Sequence, residues 1–467
     1  MLLKDFKPVL FDGAYVKGEW ALERYLAKGG YASAKKVLAM KRELATNNIP
    51  AMIDEIKKSG LRGRGGAGFP AGMKWSFVDY KSKKNRYLAV NFDESEPGTC
   101  KDRIVGLYNP HMIIEGCLIA MHTCGIENAY IYIRGEFVEV FDHLTRACAE
   151  AYKAGYLGKD VLGSGFSFHV QPHRGAGAYI CGEETGLLSS LEGDRGYPKV
   201  KPPFPAVEGA WRSPTVVNNA STLASLPYII QIGAAEYAKI GAKPDKDGKM
   251  VNNSSSGSMV YCLSGHVKTP GLYEHPMNIT MRELLFDENF AGGMKDDIPL
   301  KAVIPGGSSM PLMRYDGKSY TASNGKELTD SLDMEMSFDA LKAAGSLLGS
   351  AAVIVMNERV CMISALYNLV RFYHHESCGQ CTPCREGAGW LEKIISKIYH
   401  GKGKPGDFEV LFNVATQMSG TTICLLADSV AMPVGATVTK FKEEFQYFCK
   451  NGKSMVVEKF GEKAVRL

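Results

Sequence analysis

The chain has 467 residues, of which 45% are hydrophobic and 22% are charged. This composition is that of a globular protein with large cores, and it excludes a predominantly disordered chain. The formal net charge of +5 is small for this length and no long basic run occurs, so the charge does not call for a nucleic-acid partner. No apolar run approaches the roughly 18 residues of a membrane span, and the charged N-terminus lacks the apolar core of a signal peptide. We therefore expect a soluble, cytoplasmic protein.

A glycine-rich segment follows a predicted helix over 51–58. Residues 60–72 contain six glycines, three of which have the spacing G-x-G-x-x-G: Gly63, Gly65 and Gly68. Because a helix rather than a strand precedes the segment, it is not a Rossmann fingerprint. Its bare backbone amides, its cations and a predicted short helix after Pro70 nevertheless suit phosphate binding. The alternative interpretation is a flexible surface loop.

Residues 86 to about 240 alternate between strand-like and helix-like patterns. The predicted elements are a strand over 86–91, a helix over 112–121, a strand over 129–134, a helix over 138–152 and a strand over 166–170. This alternation predicts an α/β layer with a largely parallel sheet.

Four polar segments lie in or after this region, and α/β proteins bind ligands at the carboxyl ends of their strands. They are 91–98, 175–185, 201–205 and 218–219. Each also has a structural interpretation, in the same order: a solvated turn, favourable charge in a first helical turn, a rigid linker and a helix cap. Sequence alone leaves both interpretations open for every segment.

Polar stretches over 243–249 and 252–257 are suited to a linker. Beyond them we predict strands over 259–264, 301–304 and 351–356, a helix near 280–286 and a surface loop over 315–332. These elements indicate an α+β domain. After about residue 357 the pattern becomes helical, with predicted helices over 360–373, 387–398 and 438–448.

Four of the twelve cysteines are not scattered at random. Cys378, Cys381 and Cys384 form a C-x2-C-x2-C run, and Cys424 follows forty residues later. Such a run is typical of [4Fe–4S] binding, with the fourth thiolate supplied from elsewhere in the chain. A structural zinc site more often uses two separated cysteine pairs. Four reduced core cysteines would conflict with the polar character of the segment.

The segments together resemble the NADH- and FMN-binding subunit of respiratory complex I, the family of F subunits of NADH-quinone oxidoreductase, over about residues 50–430. No G-x-S-x-G, H-E-x-x-H or complete Walker motif occurs, which agrees with chemistry carried by a cofactor. The resemblance implies a multidomain chain of α/β, α+β and all-α parts. These are a Rossmann-like FMN- and NADH-binding domain with an N-terminal helical segment over 1–243, a ubiquitin-like β-grasp domain over 257–356 and a helical bundle with a [4Fe–4S] cluster over 357–452.

The resemblance also implies the residues of the site. FMN would contact Gly63, Arg64, Lys74, Asn91, Asp93, Glu94, Gly182, Glu183, Asn218 and Asn219. NADH would contact Gly65, Gly66, Ala67, Phe69, Phe77, Glu96, Glu184, Lys201 and Phe204. The cluster would be held by Cys378, Cys381, Cys384 and Cys424. No side chain is expected to act as a catalytic residue, because FMN itself takes the hydride from NADH before single electrons reach the cluster.

Further implications concern partners. The expected partners are a thioredoxin-like [2Fe–2S] subunit and a large iron–sulfur subunit, with no nucleic acid and with membrane contact only through the complex, at the cytoplasmic face of the inner membrane. One alternative is the diaphorase subunit of an NAD-linked hydrogenase or formate dehydrogenase. Another is a non-catalytic nucleotide-binding scaffold with structural zinc. The chain departs from the family pattern at Ala220 and Ser221, where the family usually has a bulkier residue and a glutamate.

Overall fold

The structure, a computed structural model, falls into two compact units. It describes residues 6–16, 18–40, 52–244, 250–251, 255–321, 327–328 and 330–465. The first unit comprises residues 1–95, 100–260 and 274–278, and the second comprises 96–99, 261–273 and 279–467. Much of the predicted linker over 243–249 and 252–257 lies outside the described residues, as do residues 322–326 and 329 of the predicted loop over 315–332.

A four-stranded sheet in the first unit confirms the predicted α/β layer. Its strands are β1 (Tyr87–Phe92), β2 (Asn128–Ile133), β3 (His169–Arg174) and β4 (Thr215–Asn219), in the order β3-β2-β1-β4. All three pairings are parallel. The predicted third strand starts three residues too early, because Phe168 exchanges backbone hydrogen bonds with Gly158 instead of joining β2.

Helices precede, connect and follow these strands. They are α1 (Leu22–Ala27), α2 (Ala32–Leu38), α3 (Met52–Lys58), α4 (Ala71–Ser76), α5 (Lys101–Tyr108), α6 (Pro110–Cys124), α7 (Val138–Lys153), α8 (Glu184–Leu191), α9 (Ala220–Ala224), α10 (Leu226–Ile232) and α11 (Ala234–Ala238). The strands β5 (Lys243–Pro244) and β6 (Met250–Val251) form a small antiparallel pair. Within the described ranges, no single helix has both the length and the apolar composition of a membrane span. Helices α5 and α6 have that length and composition only when they are taken together, and a bend of 98° separates them.

A buried carboxylate holds the N-terminal segment of the first unit. Glu274 Oε2 accepts hydrogen bonds from the backbone N–H groups of Val9 and Phe11 at 2.9 and 3.0 Å. Its Oε1 accepts one from the Ser258 hydroxyl at 2.7 Å. Burial raises the pKa of Glu274 to about 7, although these donors act in the opposite direction.

The second unit contains most of a mixed five-stranded sheet. The strands of this part of the chain are β7 (Ser258–Gly265), β8 (Gly271–Pro276), β9 (Leu300–Ile304), β10 (Met313–Arg314), β11 (Tyr320–Thr321), β12 (Glu327–Leu328) and β13 (Ala352–Asn357). The sheet order is β10-β9-β13-β7-β8, with β13 parallel to β7 and antiparallel to β9. The three predicted strands correspond to β7, β9 and β13. The strands β11 and β12 pair within the predicted surface loop.

The remainder of the second unit is mainly helical, as predicted. Its helices are α12 (Met281–Phe286), α13 (Phe338–Ala343), α14 (Met362–Glu376), α15 (Thr382–Lys397), α16 (Asp407–Met418), α17 (Leu426–Lys440), α18 (Lys442–Asn451) and α19 (Met455–Phe460). Helix α15 packs against α14 and α16, and α17 packs against α14 and α16. The predicted helix over 438–448 is wrong in one respect: it spans a break at Phe441, whose φ of −128° is not helical. Phe441 is buried, so the apolar pattern continues through the break.

Candidate functional site

A cavity of about 920 Å³ lies in the first unit, where the carboxyl ends of β1 and β4 meet the glycine-rich loop. It also borders α4, the start of α8 and the segment 201–207. The residues that line it are Gly63, Gly65, Gly66, Ala67, Gly68, Phe69, Lys74, Phe77, Asn91, Gly182, Glu183, Glu184, Lys201, Phe204, Pro205, Ala206, Val207, Val217, Asn218, Asn219 and Thr222. The structure therefore brings together most of the residues predicted for the two ligands.

The glycine-rich loop forms one wall of this cavity with its backbone. The N–H of Gly63 donates to the carbonyl of Phe69 at 2.9 Å and closes the loop. Gly68 has a φ of +61°, which residues with a side chain rarely adopt. At Gly65 an added Cβ would lie 3.0 Å from Cβ of Asn219, so the backbone passes the opposite wall closely. This arrangement leaves a concave surface of backbone that a larger residue would fill.

Three asparagine amides lie on the strand side of the cavity, and protein groups hold all three. Nδ2 of Asn219 donates to Oδ2 of Asp102 at 2.7 Å. Trp75 Nε1–H donates to Oδ1 of Asn218 at 2.7 Å, and Nδ2 of Asn91 donates to the carbonyl of Gly182 at 2.7 Å. In the described part of the chain, Nδ2 of Asn218 has no protein acceptor. Since Trp75 fixes the orientation of that amide, Asn218 presents a donor to whatever fills the cavity.

Four charged side chains form a paired cluster on the cavity wall. Glu184 contacts Lys74 at 2.9 Å and Lys201 at 2.6 Å, and Lys201 also contacts Glu183 at 3.1 Å. Burial alone would raise the pKa of Glu184, but the ammonium groups of Lys74 and Lys201 hold it below its ordinary value. Burial acts to lower the pKa of Lys201, and the two carboxylates more than offset it and raise that pKa. The two lysines and the two glutamates therefore give this part of the wall no net charge.

Three phenylalanine rings add apolar faces to the cavity. Phe69, Phe77 and Phe204 are 47%, 55% and 57% exposed, which is unusual for this residue type. The ring centroids of Phe69 and Phe77 lie 6.2 Å apart. Exposed aromatic faces at a concave site suit the stacking of planar ring systems.

Arg64, predicted to contact FMN, lies behind the glycine-rich loop and does not line the cavity. Its side chain is 1% exposed. Its guanidinium donates to the carbonyls of Arg62 and Ser256 at 3.0 and 2.8 Å. Its Nε is buried, and no group in the described part of the chain accepts a hydrogen bond from it. The physical reason is steric: the loop turns its backbone towards the cavity, and the long side chain leaves on the other side.

Glu94 and Asp93, also predicted to contact FMN, have no place in the lining. Both carboxylate oxygens of Glu94 accept backbone N–H groups at the start of α5, from Asp102 at 2.8 Å and Arg103 at 2.9 Å. Burial, with the nearby carboxylate of Asp102, raises the pKa of Glu94 to about 8. Asp93 accepts from the hydroxyl of Ser95. These carboxylates are therefore already engaged in local structure.

Glu96, predicted to contact NADH, belongs to the second unit. There its Oε1 accepts hydrogen bonds from the Ser309 N–H at 2.7 Å and the Ser308 hydroxyl at 3.2 Å.

The predicted site did not include six of the residues that line the cavity: Gly68, Pro205, Ala206, Val207, Val217 and Thr222. Thr222 could have been found, because it lies three residues after Asn219 and therefore returns to the same side of a helix that starts there. Gly68 belongs to the G-x-G-x-x-G spacing and Pro205 to the segment 201–205, whereas Ala206, Val207 and Val217 carry no such indication in the sequence.

The cysteine site lies in the second unit, between α14 and α15. Cys378 and Cys381 precede α15, Cys384 lies in its first turn, and Cys424 lies two residues before α17. The N–H of Ile423, next to Cys424, donates to Sγ of Cys381 at 3.4 Å. This contact brings the fourth cysteine's segment to the other three, which sequence separation alone could not establish.

Local contacts shape the loop around these thiols. Gly379 has a φ of +78°, and the guanidinium of Arg385 donates to its carbonyl at 2.7 Å. Within the described ranges, no group of three or more His, Cys, Asp or Glu side chains is placed to hold a metal ion.

Two protein families match the chain in these two places. The Nuo51 FMN-binding domain matches residues 56–228, which include the cavity. The NADH-ubiquinone oxidoreductase-F iron-sulfur binding region matches residues 364–447, which include all four cysteines.

Similar proteins span nearly the whole chain. The second NADH-quinone oxidoreductase F subunit of Rhizobium meliloti (strain 1021) is 47% identical over 94% of this chain and 97% of its own length. The NADH-quinone oxidoreductase F subunit of Rickettsia typhi (strain ATCC VR-144 / Wilmington) is 44% identical over 95% of this chain and 97% of its own length. Among solved structures, an NAD⁺-reducing [NiFe]-hydrogenase in the air-oxidized state has a TM-score of 0.75 at 28% identity, covering 95% of this chain and 67% of that one. The chain therefore belongs to the family of NADH-quinone oxidoreductase F subunits, the NADH-oxidising flavoprotein subunits with FMN and a [4Fe–4S] cluster as cofactors.

Proposed function

We propose that the cavity of the first unit binds FMN and NADH side by side. The observation that carries this proposal is the convergence of an exposed glycine backbone, the available amide of Asn218 and two lysines on one cavity of about 920 Å³. This volume lies near the upper end of the range of about 300–1,000 Å³ for small-molecule sites. It leaves space for two ligands.

The residues divide between the two ligands by their chemistry. We assign to FMN the glycine backbone at Gly63 and Gly182, Lys74, Glu183 and the amides of Asn91, Asn218 and Asn219. We assign to NADH the backbone of Gly65, Gly66 and Ala67, the rings of Phe69, Phe77 and Phe204, and the charges of Glu184 and Lys201. Arg64, Asp93 and Glu94 then support the site from behind, and Glu96 stays a predicted NADH contact.

FMN bound in this cavity would supply the chemistry, which is acceptance of a hydride from NADH and release of single electrons. The chain's own contribution is to bind and orient. The glycine backbone allows close approach, the aromatic faces hold planar rings, and Lys74 and Lys201 provide positive charge for phosphates. For each lysine, contact with a phosphate replaces or shares an existing contact with Glu184.

We assign Cys378, Cys381, Cys384 and Cys424 as the ligands of the [4Fe–4S] cluster. Two of these cysteine sulfurs have a hydrogen-bonding neighbour. The N–H group of Ile423 lies 3.4 Å from Sγ of Cys381, and the hydroxyl of Ser377 lies 3.2 Å from Sγ of Cys384. Hydrogen bonds to sulfur help to set the reduction potential of such clusters.

For the architecture, we propose that the mixed sheet and its helix over 257–356 form a ubiquitin-like β-grasp domain. We also propose that residues 357–452 form a helical bundle that binds the cluster. The support is the mixed sheet around β13 and the mutual packing of α14, α15, α16 and α17. The domain of residues 1–243 then corresponds to the region around the parallel sheet.

For the assembly, we propose a thioredoxin-like [2Fe–2S] subunit and a large iron–sulfur subunit as partners, at the cytoplasmic face of the membrane. The names of the similar proteins, which are subunits of NADH-quinone oxidoreductases, support a multi-subunit complex. A diaphorase subunit of an NAD-linked hydrogenase is the second candidate, and the structural similarity to such an enzyme supports it. Isolation of the native complex and identification of its subunits distinguishes the two.

The first experiment is an absorption spectrum of anaerobically purified protein before and after addition of NADH, with FMN and iron quantified. We expect flavin bands that bleach with NADH above a broad iron–sulfur absorbance. A matched sample of Lys74→Met should bind FMN more weakly while its iron content stays the same. Wild-type protein that takes up no flavin after reconstitution with FMN, or that contains zinc in place of iron, would contradict the proposal.

A further inference from the structure

Directly behind Asn219 lies a buried group of charges that no ligand contact explains. Lys101 and Asp102 are each 2% exposed, and Glu94 is 5% exposed. Lys101 Nζ lies 2.6 Å from Asp102 Oδ2 and 3.4 Å from Glu94 Oε1. Burying three ionisable side chains is costly unless hydrogen bonds or opposite charges compensate each of them. Their presence beside the cavity therefore calls for a reason.

Asp102 is the centre of this group. Its Oδ2 accepts from Lys101 and from Nδ2 of Asn219, the latter at 2.7 Å. Its Oδ1 accepts from the backbone N–H of Ser221 at 3.2 Å and from the Ser221 hydroxyl. Four donors from three residues thus fix both carboxylate oxygens, and charge-assisted hydrogen bonds of this kind are strong and directional.

This contact decides how Asn219 is oriented. With Nδ2 directed at Asp102, Oδ1 accepts the N–H of Thr222 at 3.2 Å and caps α9. The Thr222 hydroxyl accepts the N–H of Arg64 in the glycine-rich loop at 2.8 Å. The Cβ of Asn219 is also the atom that comes closest to the position of a Cβ on Gly65. Asn219 therefore sets the spacing between the loop and the strand side of the cavity.

Ser221 supplies two of the four donors to Asp102. Its backbone N–H and its hydroxyl both donate to Oδ1 of Asp102. Ser221 therefore compensates the buried carboxylate without adding a charge to the group behind Asn219.

We propose that Asp102 is a positioning residue for the flavin site: it holds Asn219, and through Asn219 the width of the cavity at the glycine-rich loop, with Ser221 as its local donor. This inference rests on the proposed binding of FMN in the cavity. The buried charges then have a role in ligand affinity, and Ser221 contributes to that role as a donor to Asp102.

The test is a double-mutant cycle on FMN affinity. FMN is titrated into flavin-free protein, with quenching of FMN fluorescence as the readout, for wild type, Asp102→Asn, Asn219→Ala and the double variant. Asp102→Asn places an NH₂ group among donors, so we expect FMN to bind roughly tenfold more weakly. If Asp102 acts through Asn219, the substitution should have little further effect in the Asn219→Ala background.

Controls separate this role from a general loss of structure. Asp142→Asn, the same change on the exposed face of α7, should leave FMN affinity unchanged. Ser221→Ala removes one of the four donors and should weaken FMN binding less than Asp102→Asn does; it takes the place of Asp102→Asn in the cycle if that variant does not fold.

Two results would overturn the inference. One is an unchanged FMN affinity in Asp102→Asn while wild type binds FMN normally. The other is an equal loss of affinity with and without Asn219, which would indicate a structural role independent of the amide. If wild type itself binds no FMN after reconstitution, the proposed function fails and the inference fails with it.

Discussion

The cavity of the first unit and the cysteine loop of the second unit are built in different ways. The cavity takes its lining from six separate segments between residues 63 and 222, which the parallel sheet and its connections bring together. Its polar groups mostly have protein partners already. The cysteine site takes three of its four thiols from one stretch of seven residues.

The two sites therefore require different contributions from their ligands. The cavity is pre-formed, so its ligands need only replace contacts that exist without them. The cysteine loop supplies most of its thiols from one short segment, so we expect a bound cluster to complete the proposed site, as where metal binding and local folding are coupled. Loss of one contact should therefore weaken the first site by degrees and abolish the second.

The largest effect is expected from Cys381→Ser. Because a cluster needs all four thiolates, we expect loss of its electron paramagnetic resonance signal and of iron, while NADH still reduces the flavin. Cys449→Ala, a change at a cysteine of α18 outside the motif, should retain both signals. An intact cluster signal in Cys381→Ser would show that the ligand assignment is incorrect.

The next effect concerns how the first unit is stabilised. Glu274 has a folded-state pKa of about 7, above its value in the unfolded chain, so the unfolded state loses its proton first as pH rises. The free energy of unfolding should fall between about pH 4.5 and pH 7, by up to roughly 3 kcal/mol, and should level off above pH 7. Glu274→Gln should flatten the pH dependence of the free energy of unfolding, measured by urea titration. Glu208→Gln, a change at an exposed glutamate, should not. Parallel pH profiles for wild type and Glu274→Gln would contradict the prediction.

A smaller effect is expected from Gly65→Ala, which tests whether the cavity is pre-formed. The added methyl group would lie 3.0 Å from Asn219 Cβ, so either the loop or the asparagine must move. Overpacking of this kind costs about 1–3 kcal/mol, which corresponds to roughly a 5- to 150-fold weaker binding of FMN if the distortion falls on the site. Gly435→Ala adds a methyl group whose nearest neighbour is 3.9 Å away, and it should leave FMN affinity unchanged. Equal FMN affinities for the two variants would mean that the wall adapts readily.

The smallest effect concerns the choice between NADH and NADPH. A carboxylate at Glu184 would accept hydrogen bonds from ribose hydroxyls and repel a 2′-phosphate. Glu184→Gln should therefore raise the ratio of kcat/KM for NADPH over NADH by about tenfold. Glu208→Gln, at an exposed glutamate, serves as the control. Comparable efficiency with both nucleotides in wild type would contradict the assigned role of Glu184.

The parts of the fold with local signals could be predicted from the sequence. The alternating patterns predicted the parallel sheet, and the cysteine spacing predicted the C-x2-C-x2-C motif. The glycines at 60–72 predicted the loop that borders the cavity. The position of α4 followed from Pro70, which suits the first turn of a helix. Each of these features depends on neighbouring residues, so a short window of sequence contains the information.

The directions of side chains could not be predicted in the same way. Arg64 lies between two glycines of the cavity wall, yet its guanidinium binds the carbonyl of Ser256, nearly two hundred residues away. Glu94 follows a strand as a ligand-binding carboxylate would, but the N–H groups of α5 already occupy both of its oxygens. In both cases a contact distant in sequence, or a helix start, competes with the ligand for the same polar group.

The balanced cluster of Lys74, Lys201, Glu183 and Glu184 also has a consequence for the rate of nucleotide capture. A wall of unpaired lysines would attract an anionic dinucleotide from a distance, and added salt would slow its association strongly. Here each ammonium lies beside a carboxylate, so these four side chains add little net field at long range. We therefore expect the association rate of NADH to change little with ionic strength, with the lysines acting mainly once the phosphates are in contact.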